Sequence, residues 1–331
     1  MYERLPQKKV RCRLCAHGCT ITDGGLGFCG VRRNKAGRLY ALSYGNPVAL
    51  HVDPIEKKPL YHFMPGSLSY SLAAAGCNFR CGFCQNREIS QARLSDRIEE
   101  PAASVPAEKL VKDALCSGVR SVSFTYTEPT VFLEYALDIA SLSKRHGLCN
   151  VFVTNGFMSA EALRMVKPVL DAANVDLKFF RDEAYRKICR GRLAPVLDSI
   201  RLMKELGIWV EITTLVIPGE NDSDEELRDI ARFIAGIDVN IPWHLSRFYP
   251  VFRYTGCHAT PGETLHKAVE IGRRAGLRYL YAGNVTGWGN ETRCFHCGEL
   301  LIRRDGYRVR ENRIVAGRCR SCRSALAGVF V

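Results

Sequence analysis

"SYSLAAAGCNFRCGFCQN" (69–86) decides how this chain is read. Residues 69–76 carry no charge and are mostly small or apolar, which reads as a strand buried on both faces. Directly after it, Cys77, Cys81 and Cys84 fall within eight positions at unequal intervals. A strand that runs into such a loop places the thiols on the rim of a sheet, where parallel α/β proteins carry their chemistry. A tetrahedral metal ion or a four-iron cube wants four ligands. Three thiolates on one short loop can hold three irons of a [4Fe–4S] cube and leave the fourth open to an outside ligand. A zinc ion completed by a distant His or Cys is the plainer alternative for the same residues.

Outward from that loop the pattern is regular. Strands are expected at 69–76, 121–126, 150–156, 174–180, 209–219, 241–250 and 279–284. Amphipathic helices are expected between them at 107–118, 131–147, 159–167, 196–206, 224–235 and 264–275. Short apolar strands alternating with helices predict a parallel sheet with right-handed crossovers, so every strand's C-terminal end lies on one rim. The expected fold class is α/β, a partial (β/α)6 barrel, laterally open and smaller than the eight-fold form. Residues 51–66, punctuated by Pro54, Pro59 and Pro65, read as an irregular connector. The expected organisation is a Cys-rich N-terminal segment (1–66), the barrel (67–289) and a zinc-ribbon-like domain (290–331).

The 15 cysteines are grouped rather than scattered. Cys12, Cys15, Cys19 and Cys29 form a compact glycine-rich set that suits either zinc or a second [4Fe–4S] cluster, with His17 available inside the loop. Cys294, Cys297, Cys319 and Cys322 form two C-x2-C knuckles 21 residues apart, the spacing of a zinc ribbon; a rubredoxin-like iron or an auxiliary cluster is the alternative. Cys116, Cys149, Cys189 and Cys257 read as buried apolar thiols. The start of the chain has no stretch of signal-peptide type and no run reaches a membrane span, so a cytoplasmic protein is expected, with its cysteines in metal or redox use. The formal charge is +13. Bound thiolates reduce it to about +8, since a three-thiolate cluster contributes about −1 and each four-thiolate site about −2. The ribbon carries nine arginines and three acids between Arg293 and Arg323, but its aromatics are only Phe295 and Tyr307, so base stacking on nucleic acid has little support.

"CNFRCGFC" resembles the C-x3-C-x-aromatic-C signature of radical S-adenosylmethionine (radical SAM) enzymes. The resemblance implies that Cys77, Cys81 and Cys84 are the catalytic cluster ligands and that Phe83 lies near the adenine. The methionine amine and carboxylate of S-adenosylmethionine would chelate the open iron. "TYTEP" stands where the family often carries Gly-Gly-Glu, so Glu128 is expected to meet the methionine amine, with Tyr126 and Thr127 replacing the glycines. "TNG" (154–156) puts Asn155 at the ribose hydroxyls. "DLK" (176–178) resembles the same tripeptide of glycyl-radical activating enzymes, giving Asp176 and Lys178 a role at the methionine carboxylate or a cation. Charges inside a parallel strand are costly unless paired or at the rim, which independently points to these two. His244 and Arg247, in "WHLSRF", are expected at the same mouth. Further stretches, "CRLCAHGC…GFCGVR", "DPIEKKPLYHFMPGS", "TYTEPT" and the ribbon, resemble the radical enzyme of the AmmeMemoRadiSam system, commonly labelled a pyruvate formate-lyase activating enzyme homologue.

The implied reaction is reductive cleavage of S-adenosylmethionine to a 5′-deoxyadenosyl radical that abstracts hydrogen from a protein or small-molecule substrate. Implied partners are an electron donor such as flavodoxin or ferredoxin and other proteins of that system. The alternatives are a metal-scaffolded nucleic-acid- or protein-binding module without turnover, and radical modification of RNA. Both cysteine flanks are expected to pack across the open seam of the barrel.

Overall fold

Uninterrupted apolar runs become parallel strands in the computed structural model, which describes residues 1–91 and 104–330. One sheet is built from β1 (Pro47–Pro54), β2 (Leu68–Ala74), β3 (Ser121–Phe124), β4 (Cys149–Thr154), β5 (Ala172–Asp176), β6 (Trp209–Val216), β7 (Trp243–Arg247) and β8 (Leu280–Gly283). Neighbours in sequence are neighbours in the sheet, and β2 to β8 are parallel. The crossovers carry α1 (Ala107–Cys116), α2 (Leu133–Arg145), α3 (Ala160–Val166), α4 (Leu193–Glu205), α5 (Asp224–Ile237) and α6 (Gly262–Arg274). This is the expected partial (β/α)6 barrel with a seventh parallel strand. Ser159 and Ser223 cap α3 and α5 by accepting from the backbone N–H groups of Ala162 and Glu226. Leu227, Ile230, Ala231 and Ile234 of α5 recur at three- and four-residue intervals and bury that face in the main core. Among the described residues no helix is long and apolar enough to cross a membrane.

The stretch 51–66 departs from the expected irregular connector. Its first residues belong to β1, which pairs antiparallel with β2 and forms one edge of the sheet. The following residues pack against the middle strands β5 and β6. Asn174 on β5 donates to the Pro59 carbonyl (2.8 Å), and the backbone N–H groups of Tyr61 and His62 donate to the Glu211 carboxylate on β6 (2.9 and 2.8 Å). The C-terminal ribbon docks on this plug. Its strands β9 (Thr292–Arg293), β10 (Leu300–Asp305) and β11 (Arg308–Asn312) form a small antiparallel sheet. Val329 N–H donates to the His62 carbonyl (2.7 Å), and Tyr281 of edge strand β8 shares a hydrogen bond with Thr292 (2.8 Å). The ribbon therefore lies at the open seam, as expected. The N-terminal cysteine segment does not. It sits beside the strand ends of β2 and β4 and the start of α2, because Arg32 forms a bidentate ion pair with Glu134 and Leu14 accepts from the Ser159 N–H (3.0 Å).

His62 joins plug, ribbon and β8. It is fully buried; its Nδ1 meets the Ala327 carbonyl (2.7 Å) and its Nε2 the Tyr281 hydroxyl (2.6 Å). Burial pulls its pKa from 6.5 down to about 4. As pH falls from 6.5, the unfolded chain takes up a proton that the folded chain refuses until about pH 4. Stability is thus lost with falling pH at about 1.4 kcal/mol per unit, about 3 kcal/mol over the whole window. Denaturant unfolding at pH 7 and pH 4.5 should show this loss in the native chain and a shallower loss in His62→Gln. Equal slopes in the two proteins would contradict it.

Candidate active site

The loop after β2 carries Cys77, Cys81 and Cys84 to the C-terminal rim. Cys77 Sγ accepts from the Phe79 N–H (3.3 Å) and from Asn155 Nδ2 (3.7 Å). Cys84 Sγ lies 3.2 Å from the Ser90 hydroxyl. Burial, with the Glu128 charge behind it, pushes the Cys77 thiol well above the ordinary thiol range. The adjoining Cys189 thiol, and then burial, do the same for Cys81. Three thiols crowded on one loop, Cys81 buried and Cys77 and Cys84 half-buried, are held at a cost unless something replaces their protons, and a metal centre does that.

The next strand ends converge on the same loop. Asn155, after β4, donates to Asn78 Oδ1 (2.7 Å) as well as towards Cys77. Glu128 is 1% exposed and fully engaged: Oε1 accepts from Thr130 N (3.1 Å), Thr130 Oγ1 (2.6 Å) and Thr154 Oγ1 (2.8 Å), and Oε2 from Asn155 N (2.8 Å). It also caps the short 3₁₀ turn that opens at Pro129. Burial still leaves its pKa raised. At the end of β5, Lys178 Nζ pairs with Asp176 Oδ2 (2.7 Å) and stands 5.7 Å from the centre of the Phe83 ring. Burial disfavours the Lys178 charge, but Asp176 and the Cys81 and Cys189 sulfurs outweigh it and hold its pKa well above the ordinary lysine range. Phe83 is buried against Phe179 and Tyr254.

His244 and Arg247 are placed elsewhere. His244 is 3% exposed, with Nε2 2.7 Å from Glu211 and its ring against Tyr61 and Tyr281. It is a satisfied buried histidine, and it faces the cavity at the plug rather than the cysteine loop. Arg247 donates to the Thr260 carbonyl (2.8 Å) and stacks on Tyr249. Reading the sequence missed Cys189, Asn78 and Glu211. The rule that a charge inside a parallel strand needs a partner would have found Glu211 within "WVEITTLV", as it found Asp176 and Lys178.

At the ribbon, the sulfurs of Cys294, Cys297, Cys319 and Cys322 all lie within 4.8 Å of one another, with two contacts of 3.6 and 3.7 Å. The Ser324 hydroxyl, 2.8 Å away, helps pull the Cys322 thiol down to about 6. These four are spaced to hold one metal ion.

The radical SAM superfamily model matches residues 72–234. An uncharacterised protein of Methanocaldococcus jannaschii is 44% identical over 92% of this chain and 90% of its own length. The chain belongs to the radical SAM superfamily. A second protein of that archaeon, named as a glycyl-radical enzyme activating enzyme, is 26% identical over 63% of this chain and 77% of its own. Among solved structures, a radical SAM methyltransferase from Sphaerobacter thermophilus superposes with a TM-score of 0.51 at 17% identity, over 66% of this chain and 67% of that one, which supports the fold. Radical SAM proteins are enzymes, which sets aside a binding module without turnover. The family implies a [4Fe–4S] cluster and S-adenosylmethionine, and its members draw electrons from a reductant such as flavodoxin or ferredoxin. The three thiols of the β2 loop suit that cluster: all are sulfur donors, they sit on one loop, and they have backbone and amide N–H groups aimed at one of them.

Proposed function

We propose that this enzyme cleaves S-adenosylmethionine reductively and uses the resulting 5′-deoxyadenosyl radical to take hydrogen from a small molecule or short peptide segment, in the manner of glycyl-radical activases. The observation that carries the reading is the convergence of Asn155, Lys178 and Asp176 on the loop of Cys77, Cys81 and Cys84. Bound by these cysteines, the cluster would supply the electron for the S–C5′ cleavage. Lys178, held charged by Asp176, is suited to a carboxylate, and Asp176 to a cation. Phe83 offers an apolar wall for the adenine. Asn155 orients Cys77, and its Oδ1, which accepts from the Phe157 N–H (2.9 Å), keeps a second lone pair for a hydroxyl. Glu128, committed to four donors, acts by fixing Asn155 and the turn after β3.

Substrate enters at the seam in this reading. A cavity of about 210 Å³ lies there, lined by Thr213, His244, Ser246 and Asn284 from the barrel and Tyr307 from the ribbon. Its small size, with a few polar groups on largely apolar walls, suits a small molecule better than a broad protein face. The ribbon site holds zinc: tetrahedral zinc with bonds of ~2.3 Å needs sulfurs about 3.8 Å apart. Its sulfur contacts of 3.6 and 3.7 Å fit that demand. The "DPIEKKPLYHFMPGS" segment, which carries the resemblance to the AmmeMemoRadiSam group, forms both the plug and one wall of the cavity. The test is direct. Anaerobically reconstituted protein given dithionite and S-adenosylmethionine should release 5′-deoxyadenosine, and a fully reduced, iron-replete sample that releases none would end the enzyme reading.

A further inference from the structure

We propose that Cys12, Cys15, Cys19 and Cys29 hold a second [4Fe–4S] cluster, not a zinc ion. Antiparallel pairing brings the chain to this arrangement: Val10–Cys12 pairs with Thr20–Ile21, and the Cys12 N–H donates to the Cys19 carbonyl (2.9 Å). The four thiols then line one small cavity of about 20 Å³ with mostly apolar walls.

Three features bear on what this site holds, and the first and third separate it from the ribbon. The first is spacing. Among the described residues, sulfurs drawn together around a point small enough for one ion are found at the ribbon, whereas the N-terminal four surround a space. A cube of four irons and four sulfides holds its ligand sulfurs further apart than a single ion does. The second is the donor set. His17, the alternative ligand within the loop, is engaged elsewhere: its Nε2 meets the Asn78 carbonyl (2.8 Å) and its ring packs on Phe28 and Phe157. The ligands are therefore all thiolate, as an iron–sulfur cube prefers. The third is Arg32. It lines the same cavity, is 3% exposed, and its Nε has no hydrogen-bond partner among the described residues, although its two Nη groups bind Glu134. A buried N–H without a partner is costly, and a cluster sulfide beside it supplies an acceptor.

The site is distinct from the Cys77 loop but next to it. His17 bridges to Asn78, and Gly76 packs against Val31 and the Cys29 carbonyl so tightly that a Cβ there would fall 2.6 Å from Val31.

The experiment uses the full chain with Cys77, Cys81 and Cys84 all changed to alanine. After anaerobic reconstitution this variant should keep ~4 irons and ~4 acid-labile sulfides with a [4Fe–4S] Mössbauer doublet. Adding Cys15→Ala and Cys19→Ala should remove that iron and sulfide while the ribbon zinc and the far-UV circular dichroism stay. Two zinc ions and no sulfide in the first variant would overturn the proposal, and so would sulfide that survives the added changes. Failure of the proposed activity would appear separately, as a native chain without a cluster on the β2 loop. A milder probe is Arg32→Gln, which should leave the iron count unchanged and shift the second cluster's potential to a more negative value, because a positive charge beside it is lost. An unchanged potential would show that Arg32 faces no cluster.

Discussion

Cys81→Ala should lose the iron of the β2 loop and release no 5′-deoxyadenosine above background, whereas Cys189→Ala should keep the iron and lose less than about 100-fold in activity. The contrast is the informative part, because the two thiols adjoin and both are buried. Proximity alone would let Cys189 stand in for Cys81. The backbone argues against it. Cys189 ends a single tight turn (Tyr185–Cys189), followed by Arg190 at a positive φ of 61°, and its carbonyl accepts from the Arg80 N–H (2.8 Å). That hydrogen bond ties the turn's backbone to the loop at the residue before Cys81, so Cys189 is held as a neighbour of the loop and not as part of its three-cysteine spacing. Its thiol is therefore a neighbour that tunes the site, as Lys178 does by charge. Cys77→Ala and Cys84→Ala should behave as Cys81→Ala does. Iron and sulfide analysis beside product chromatography decides the matter: a Cys81→Ala protein with full iron would show that Cys189 ligates.

What could be read from the sequence follows from how local its cause is. β2 to β8 were legible because strands covered on both faces are written as continuous apolar runs, and their helices as a 3.6-residue period. β1 was not. It is an antiparallel edge strand, mostly exposed along its length, and it starts and ends on proline, so residues such as His51 and Asp53 read as connector. The cysteine loop was legible because all three thiols are local. Asn155 was legible at a strand end, and it does lie beside Cys77. His244 sits on a strand of the same barrel, yet its position one residue after Trp243 faces Glu211, a partner 33 residues away that no local pattern marks. Arg32 and Cys189 were invisible for the same reason: each matters only through a neighbour brought up by the fold. The seam was predicted from strand count alone, and the ribbon fills it; the N-terminal segment went elsewhere because its ion pair with α2 spans 102 residues of sequence.

Arg304→Ala should cost about 3–5 kcal/mol, the penalty for leaving a buried charge without its partner. Arg304 is the joint between ribbon and barrel. Its guanidinium donates to the Tyr61 carbonyl (2.8 Å), the Asn290 carbonyl (3.0 Å) and Thr292 Oγ1 (2.8 Å), and lies 4.2 Å from the centre of the Tyr61 ring. Glu56 Oε1, 3.5 Å away, is equally buried and also accepts from the Gly66 N–H (2.9 Å). Glu56 Oε2 has no partner among the described residues, so the arginine is what balances this carboxylate. Burial already pushes the Glu56 pKa up. Without the arginine the acid must either protonate or drag the plug into water, and the second route undocks the ribbon. Arg304→Lys should recover part of the loss, since it restores charge but not the three-way fork. Glu56→Gln with Arg304→Ala should recover more, since no unpaired charge remains. Thermal unfolding of the three proteins tests the energetics, and limited proteolysis near residue 290 reports the docking. The functional consequence follows from the cavity beside Tyr307. If the ribbon closes the seam, a loosened ribbon admits water and raises cleavage of S-adenosylmethionine that yields no product. A ribbon that proteolysis shows to be undocked, with an unproductive cleavage rate equal to that of the native chain, would mean that it is no lid and instead recruits a partner.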